Sequence, residues 1–269
     1  MAKVDEEIST ADESEGADAA QSLYRYTGAP VRPARRPPRF RLPAVVQFWR
    51  SSVGKKWVMA VTGIMLLGYV LAHMIGNLHV FEGPNQINHY GEWLRDLLDP
   101  PFPRTFFLWM LRLGLTAAFV LHILAAYQLT VINVRARPGV SRYHSPRDYV
   151  AADFAARTMR WTGVIVALFL LYHLLDLTWG TANPGFVRGD VYRNTVASFE
   201  RIPVALVYIL GCLALGVHMY HGAWSMFQSL GINNPRFNHW RRYFAVAFSV
   251  IVTVGFISVP IGVLVGVID

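Results

Sequence analysis

Five apolar runs constrain this chain more than anything else in it, at roughly residues 57–80, 105–134, 159–179, 202–228 and 243–267. Each reaches the ~20 residues that a helix needs to cross a ~30 Å hydrocarbon core. In that solvent a chain must satisfy its own backbone hydrogen bonds, so only helices and closed barrels span it. None of the runs alternates with period two, which argues against a barrel. Of the 269 residues, 54% are hydrophobic and 16% charged, and the charges avoid the runs. The expected fold is an all-α membrane protein, with five transmembrane helices in an up-down bundle and short connections between them. The second run is long enough to project into water or to tilt.

Lys and Arg fall unevenly between the two faces. Ten precede the first run, six lie between the second and third, and three (Arg236, Arg241, Arg242) between the fourth and fifth. The opposite face has only Arg95, Arg104, Arg188, Arg193 and Arg201. This positive-inside asymmetry places the N-terminus in the cytoplasm and the C-terminus outside. The net charge of +8 is then mainly a topology signal with some attraction to anionic lipid. No motif supports nucleic-acid binding.

Residues 1–45 read as a disordered cytoplasmic tail and 46–269 as the five-span membrane domain. The stretch from Asp5 to Asp18 is acidic and rich in small residues, and Pro30 to Pro43 mixes Pro with Arg. Neither can bury enough apolar surface to order itself. The chain does not open with the n-region, h-region and cleavage site of a signal peptide. A single cysteine, Cys212, excludes a disulfide framework and a thiolate iron–sulfur site. No internal repeat stands out.

Four histidines, His73, His122, His173 and His218, sit inside four different apolar runs. Ionisable groups in hydrocarbon are costly and usually face the bundle interior at a functional path. His73 lies 9 residues from Glu82 and His173 lies 10 from Asn183, whereas His122 lies 18 from Arg104 and His218 lies 17 from Arg201. At about 1.5 Å per residue these are two layers, ~14–15 Å and ~26–27 Å below one surface. Two imidazoles per layer, from different helices, is the ligand set of two six-coordinate haems, which suits electron transfer without oxygen activation. Hydrogen bonding between helices is the alternative use of such residues. His221 competes with His218, because a three-residue offset puts both on nearly one helix face. Gly76, Gly114, Gly163 and Gly216 lie near these positions and could admit a flat macrocycle. Arg112, within the second run, needs a counter-ion; the propionates of the outer haem are one candidate and Asp176 is another. His79, His89, His144 and His239 read as solvated.

The chain resembles the cytochrome b membrane-anchor subunit of succinate:quinone oxidoreductases, the single-subunit, di-haem type that also serves fumarate reductases. The likeness covers about residues 50–269. It is carried by Ser51-Ser52-Val53-Gly54-Lys55-Lys56, Ala72-His73-Met74-Ile75-Gly76-Asn77, Leu121-His122-Ile123, Arg157-Thr158-Met159-Arg160-Trp161-Thr162-Gly163, Tyr172-His173-Leu174 and His218-Met219-Tyr220-His221-Gly222-Ala223-Trp224-Ser225. The last stretch is the most specific. In the family the histidine four residues before the glycine is the ligand, which favours His218 over His221.

The resemblance implies two b-type haems, an inner one on His122 and His218 and an outer one on His73 and His173. It implies a flavoprotein subunit carrying FAD and an iron–sulfur subunit on the cytoplasmic side of a bacterial inner membrane. Electrons would pass between those subunits and a membrane quinone, menaquinone being expected, with no succinate site in this chain. An oligomer of the whole complex is compatible with this. Ser51, Ser52, Lys56 and Trp57, just before the first run, are candidates for docking the iron–sulfur subunit and for touching quinone; interfacial anchoring is the plainer role. Two other functions stay open: the di-haem anchor of another quinone-linked dehydrogenase, and a proton-coupled transporter using the histidines as a relay.

Overall fold

Long apolar sequences with no water to satisfy their amides leave the backbone one economical solution, and the described residues adopt it. A computed structural model describes residues 43–135, 154–232, 234 and 238–269, and no strand occurs among them. The tail expected over residues 1–45 lies, as far as residue 42, outside the described residues. So do His144 and Arg236.

In chain order the helices are α1 (Ala44–Arg50), α2 (Ser52–Leu78), α3 (Pro84–Asp96), α4 (Phe106–Arg135), α5 (Phe154–His173), α6 (Val191–Phe199), α7 (Ile202–Ser229) and α8 (Asn238–Leu264). The stretches Ser52–Glu82, Phe106–Arg135, Thr158–Thr178, Ile202–Ser229 and Asn238–Leu264 are long and apolar enough to cross a membrane. Leu113, Leu168, Val254 and other large apolar side chains on these helices are exposed. Such outward faces suit lipid, where apolar burial against protein is not needed.

Two details of the expected spans change. The fifth starts at Asn238 instead of 243, because a polar first turn costs nothing at the membrane edge. It ends at Leu264, short of 267, because Gly266 takes φ +73°. That left-handed residue turns the chain back, and the amides of Val267 and Ile268 both reach the Gly262 carbonyl, at 2.9 and 3.1 Å. Ile268 is thereby buried.

The connections are also not the bare short loops expected. α3 and α6 fill them on the side where α2 and α5 end. Both are too polar on average to be seen as apolar runs. Asn88 on α3 ties them together: its side-chain oxygen accepts from the amides of Val191 and Tyr192 at 2.8 and 3.2 Å, and its amide donates to Asp190 at 3.1 Å.

α2 packs against α4, α7 and α8; α5 packs against α7; α7 and α8 share the most extensive seam. The four histidine-bearing helices therefore form two hairpin pairs, α2 with α4 and α5 with α7, joined along α2 and α7 and backed by α8.

Candidate functional site

Each hairpin pair contributes one histidine to each of two facing couples. His73 on α2 faces His173 on α5, with ring centroids 5.8 Å apart and planes at 79°. His122 on α4 faces His218 on α7, with centroids 6.5 Å apart and planes at 66°. All four rings are only partly buried. An iron bonded to both nitrogens at about 2 Å each would set the centroids roughly 6 Å apart, so both couples fit a six-coordinate iron between them. The depth argument had paired the same residues. The His221 ring stands edge-on to Trp224 at 6.1 Å.

The couples have different surroundings. His122 Nδ1 lies 3.2 Å from the Thr62 hydroxyl and His218 Nδ1 lies 3.4 Å from the Thr162 hydroxyl. The glycine after each threonine faces the same ring: a Cβ at Gly63 would sit 3.5 Å from His122 Cε1, and one at Gly163 3.3 Å from His218 Cε1. His73 and His173 are instead walled by aromatic rings. Tyr69 stacks on His73 at 5.4 Å and Phe256 lies at 5.9 Å; Phe169 and Tyr208 lie 6.3 and 5.9 Å from His173. Among the described residues neither of these two rings makes a hydrogen bond.

Just beyond His173 the helix widens into a π turn, Leu174–Thr178, which carries the fully buried Asp176 inward. Arg201 donates to one carboxylate oxygen at 2.7 Å; Ser198 and Tyr208 donate to the other at 2.5 and 2.9 Å. Arg201 also donates to the Ala182 and Ala197 carbonyls at 2.9 and 3.1 Å. A buried charge is tolerated only when paired and hydrogen-bonded, and Asp176 meets that condition in full. It is therefore not the counter-ion of Arg112, as had been considered. The Arg112 guanidinium lies over the Trp109 ring at 5.2 Å, and among the described residues no carboxylate pairs with it.

Residues 151–257 match the family model described as succinate dehydrogenase/fumarate reductase transmembrane subunit. That stretch holds α5, α6, α7 and much of α8, with His173 and His218, and the match supports a membrane-anchor subunit of this kind. With five helices long and apolar enough to cross a membrane among the described residues, the chain is a multi-pass membrane protein. No curated protein and no solved structure gives a significant match.

A segment before the matched stretch carries the same local pattern as a segment inside it. Met59, Thr62, Gly63, Tyr69 and His73 recur as Met159, Thr162, Gly163, Phe169 and His173, each displaced by one hundred positions. An internal repeat is thus present although none was expected. Its signal is a sparse register of five positions with little identity between them, which is why an overall comparison passes over it.

Ser51, Ser52, Lys56 and Trp57 lie together at the start of α2, and Ser51 has a local role as well. Ser51 caps α2, accepting from the Gly54 amide at 2.8 Å and donating to the Phe48 carbonyl at 2.7 Å. A Cβ at Gly54 would come within 1.9 Å of that carbonyl, so the α1–α2 elbow requires glycine. Lys55 is buried against α1, donating to the Trp49 and Arg50 carbonyls at 2.7 and 3.1 Å. Ser52, Lys56 and Trp57 are exposed. Gly76 and Gly216, earlier considered as room for a macrocycle, pack against Tyr90 and Thr253. Gly163 faces His218, and Gly114 has open space beside it.

Proposed function

We propose that this anchor is of the di-haem cytochrome b type and links succinate dehydrogenase or fumarate reductase chemistry to membrane quinone. His73 with His173, and His122 with His218, would hold two b-type haems, which when bound supply one-electron transfer. The carrying observation is that the fold brings together two histidine couples, each with one member from either hairpin pair. Isolated interhelical hydrogen bonding would not call for imidazoles to face one another twice at this spacing. Arg112, with no carboxylate partner, would neutralise a propionate beside His73.

The partners are a flavoprotein subunit with FAD and an iron–sulfur subunit, docked on the cytoplasmic side of a bacterial inner membrane. Supporting that orientation, the Lys and Arg excess falls at the α1 end. The exposed Ser52, Lys56 and Trp57 are the members of the elbow left free to meet the iron–sulfur subunit or quinone.

The test is pyridine haemochrome quantitation with a reduced-minus-oxidised spectrum on the purified complex. Two low-spin b haems per chain are expected. One haem or none overturns the four-ligand assignment, and complete absence favours a proton relay.

A further inference from the structure

We infer that Thr62 and Thr162 are positioning residues: each fixes the tautomer and orientation of one histidine of the His122–His218 couple. The inference rests on the proposal that this couple holds a haem iron.

The geometry is duplicated. Thr62 Oγ1 donates its proton to its own helix, reaching the Val58 carbonyl at 2.7 Å with Met59 at 3.2 Å. Its oxygen is then left to accept, and it faces His122 Nδ1. Thr162 repeats this, reaching the Met159 and Thr158 carbonyls at 3.0 and 3.3 Å while facing His218 Nδ1. A hydroxyl whose proton is committed to its own helix can only accept from the imidazole. That puts the proton on Nδ1 and leaves the Nε2 lone pair for a metal. Hydrogen bonds of this kind from the non-ligating nitrogen orient an imidazole ligand and raise its basicity.

The glycine after each threonine faces the same ring: a Cβ at Gly63 would only touch His122, whereas one at Gly163 would press on His218 Cε1 at 3.3 Å. The threonine and glycine come from the helix that packs beside the histidine's own: α2 for α4, and α5 for α7. Each hairpin pair thus aims its own histidine before the two meet. The repeated register preserves this arrangement in both halves, whereas the outer faces of the same helices share no such pattern.

The test uses the whole complex carrying Thr62→Val or Thr162→Val, near-isosteric changes that delete the acceptor, with Thr→Ser at each position as the rescue. A weaker donor ligand should raise the midpoint potential of one haem and shift its low-spin EPR signal. That haem should be the one lost in His218→Ala, and the other should stay unchanged. Serine should restore both values, and haem content should remain two per chain. Unmoved potentials in both valine variants, or a shift confined to the other haem, overturns the inference while leaving the di-haem reading intact. Wild-type complex without haem overturns both. Should the valine variants fail to assemble, Gly163→Ala, which presses on His218 Cε1, must move the same haem; no shift there also overturns the inference.

Discussion

The two ends of the bundle hold their histidines by opposite means. Toward α1, His122 and His218 each lie within hydrogen-bonding distance of one threonine hydroxyl on a neighbouring helix. Toward α6, His73 and His173 make no hydrogen bond among the described residues and lie among aromatic rings, yet Tyr208 beside His173 donates to the buried Asp176 and so joins its network with the partly exposed Arg201. Polar order is thus applied directly to the rings at one end and to the scaffold around them at the other. The lesson is that equal ligand sets need not have equal surroundings, and that unequal surroundings separate two cofactors energetically.

The sharpest way to break this comparison is to remove one imidazole from each couple. His173→Ala and His218→Ala should each remove one haem and leave part of the other signal, measured as haemochrome per protein. His221→Ala should leave the spectrum of the His122–His218 haem largely intact; the reverse result would transfer the ligand role to His221.

The next effect belongs to the scaffold at the α6 end. Asp176→Ala strands the Arg201 guanidinium and should cost ~3 kcal/mol, at the low end for a broken buried pair because Arg201 keeps 31% of its side chain exposed. Thermal inactivation at lower temperature, together with a broadened EPR signal from the His73–His173 haem only, is the expected readout. Equal broadening of both signals would erase the distinction between the ends.

Arg112→Gln removes the positive charge proposed to face a propionate of the His73–His173 haem. It should lower the midpoint potential of the haem at that end and leave the other unmoved in a redox titration.

The smallest effects lie at the α1 elbow. Ser51→Ala removes an N-cap and should cost about 1 kcal/mol, visible as lower thermal stability with little change in turnover. Ser52→Ala should leave stability unaltered. A selective rise in quinone KM in the Ser52 variant would assign it to quinone binding.

The spans were legible because length and apolarity are set by the hydrocarbon thickness itself; the second, third and fourth agree within one residue at each end, whereas the first and fifth helices begin before the charged residues expected to bound them. α3 and α6 were not, since a helix lying outside the apolar core has no such signature. The couples could be read as depths because a helix converts residue number into distance. What sequence could not supply was the partner of a buried charge: Asp176 was weighed against Arg112, and the chain instead folds Arg201 onto it from α7. Ser51 was likewise weighed as a ligand-facing hydroxyl, although one turn of local geometry commits it to the helix start. The threonines were visible only as part of a family-like stretch, because their use depends on the neighbouring helix.

The repeated register has a consequence of symmetry. Exchanging α2 with α5 and α4 with α7 also exchanges His73 with His173 and His122 with His218. Neither half of the chain contains a complete couple. Each half supplies one histidine to either couple, so both couples form only when the two halves pack together. α8 has no counterpart under the operation, so it is the element that makes the two halves distinguishable.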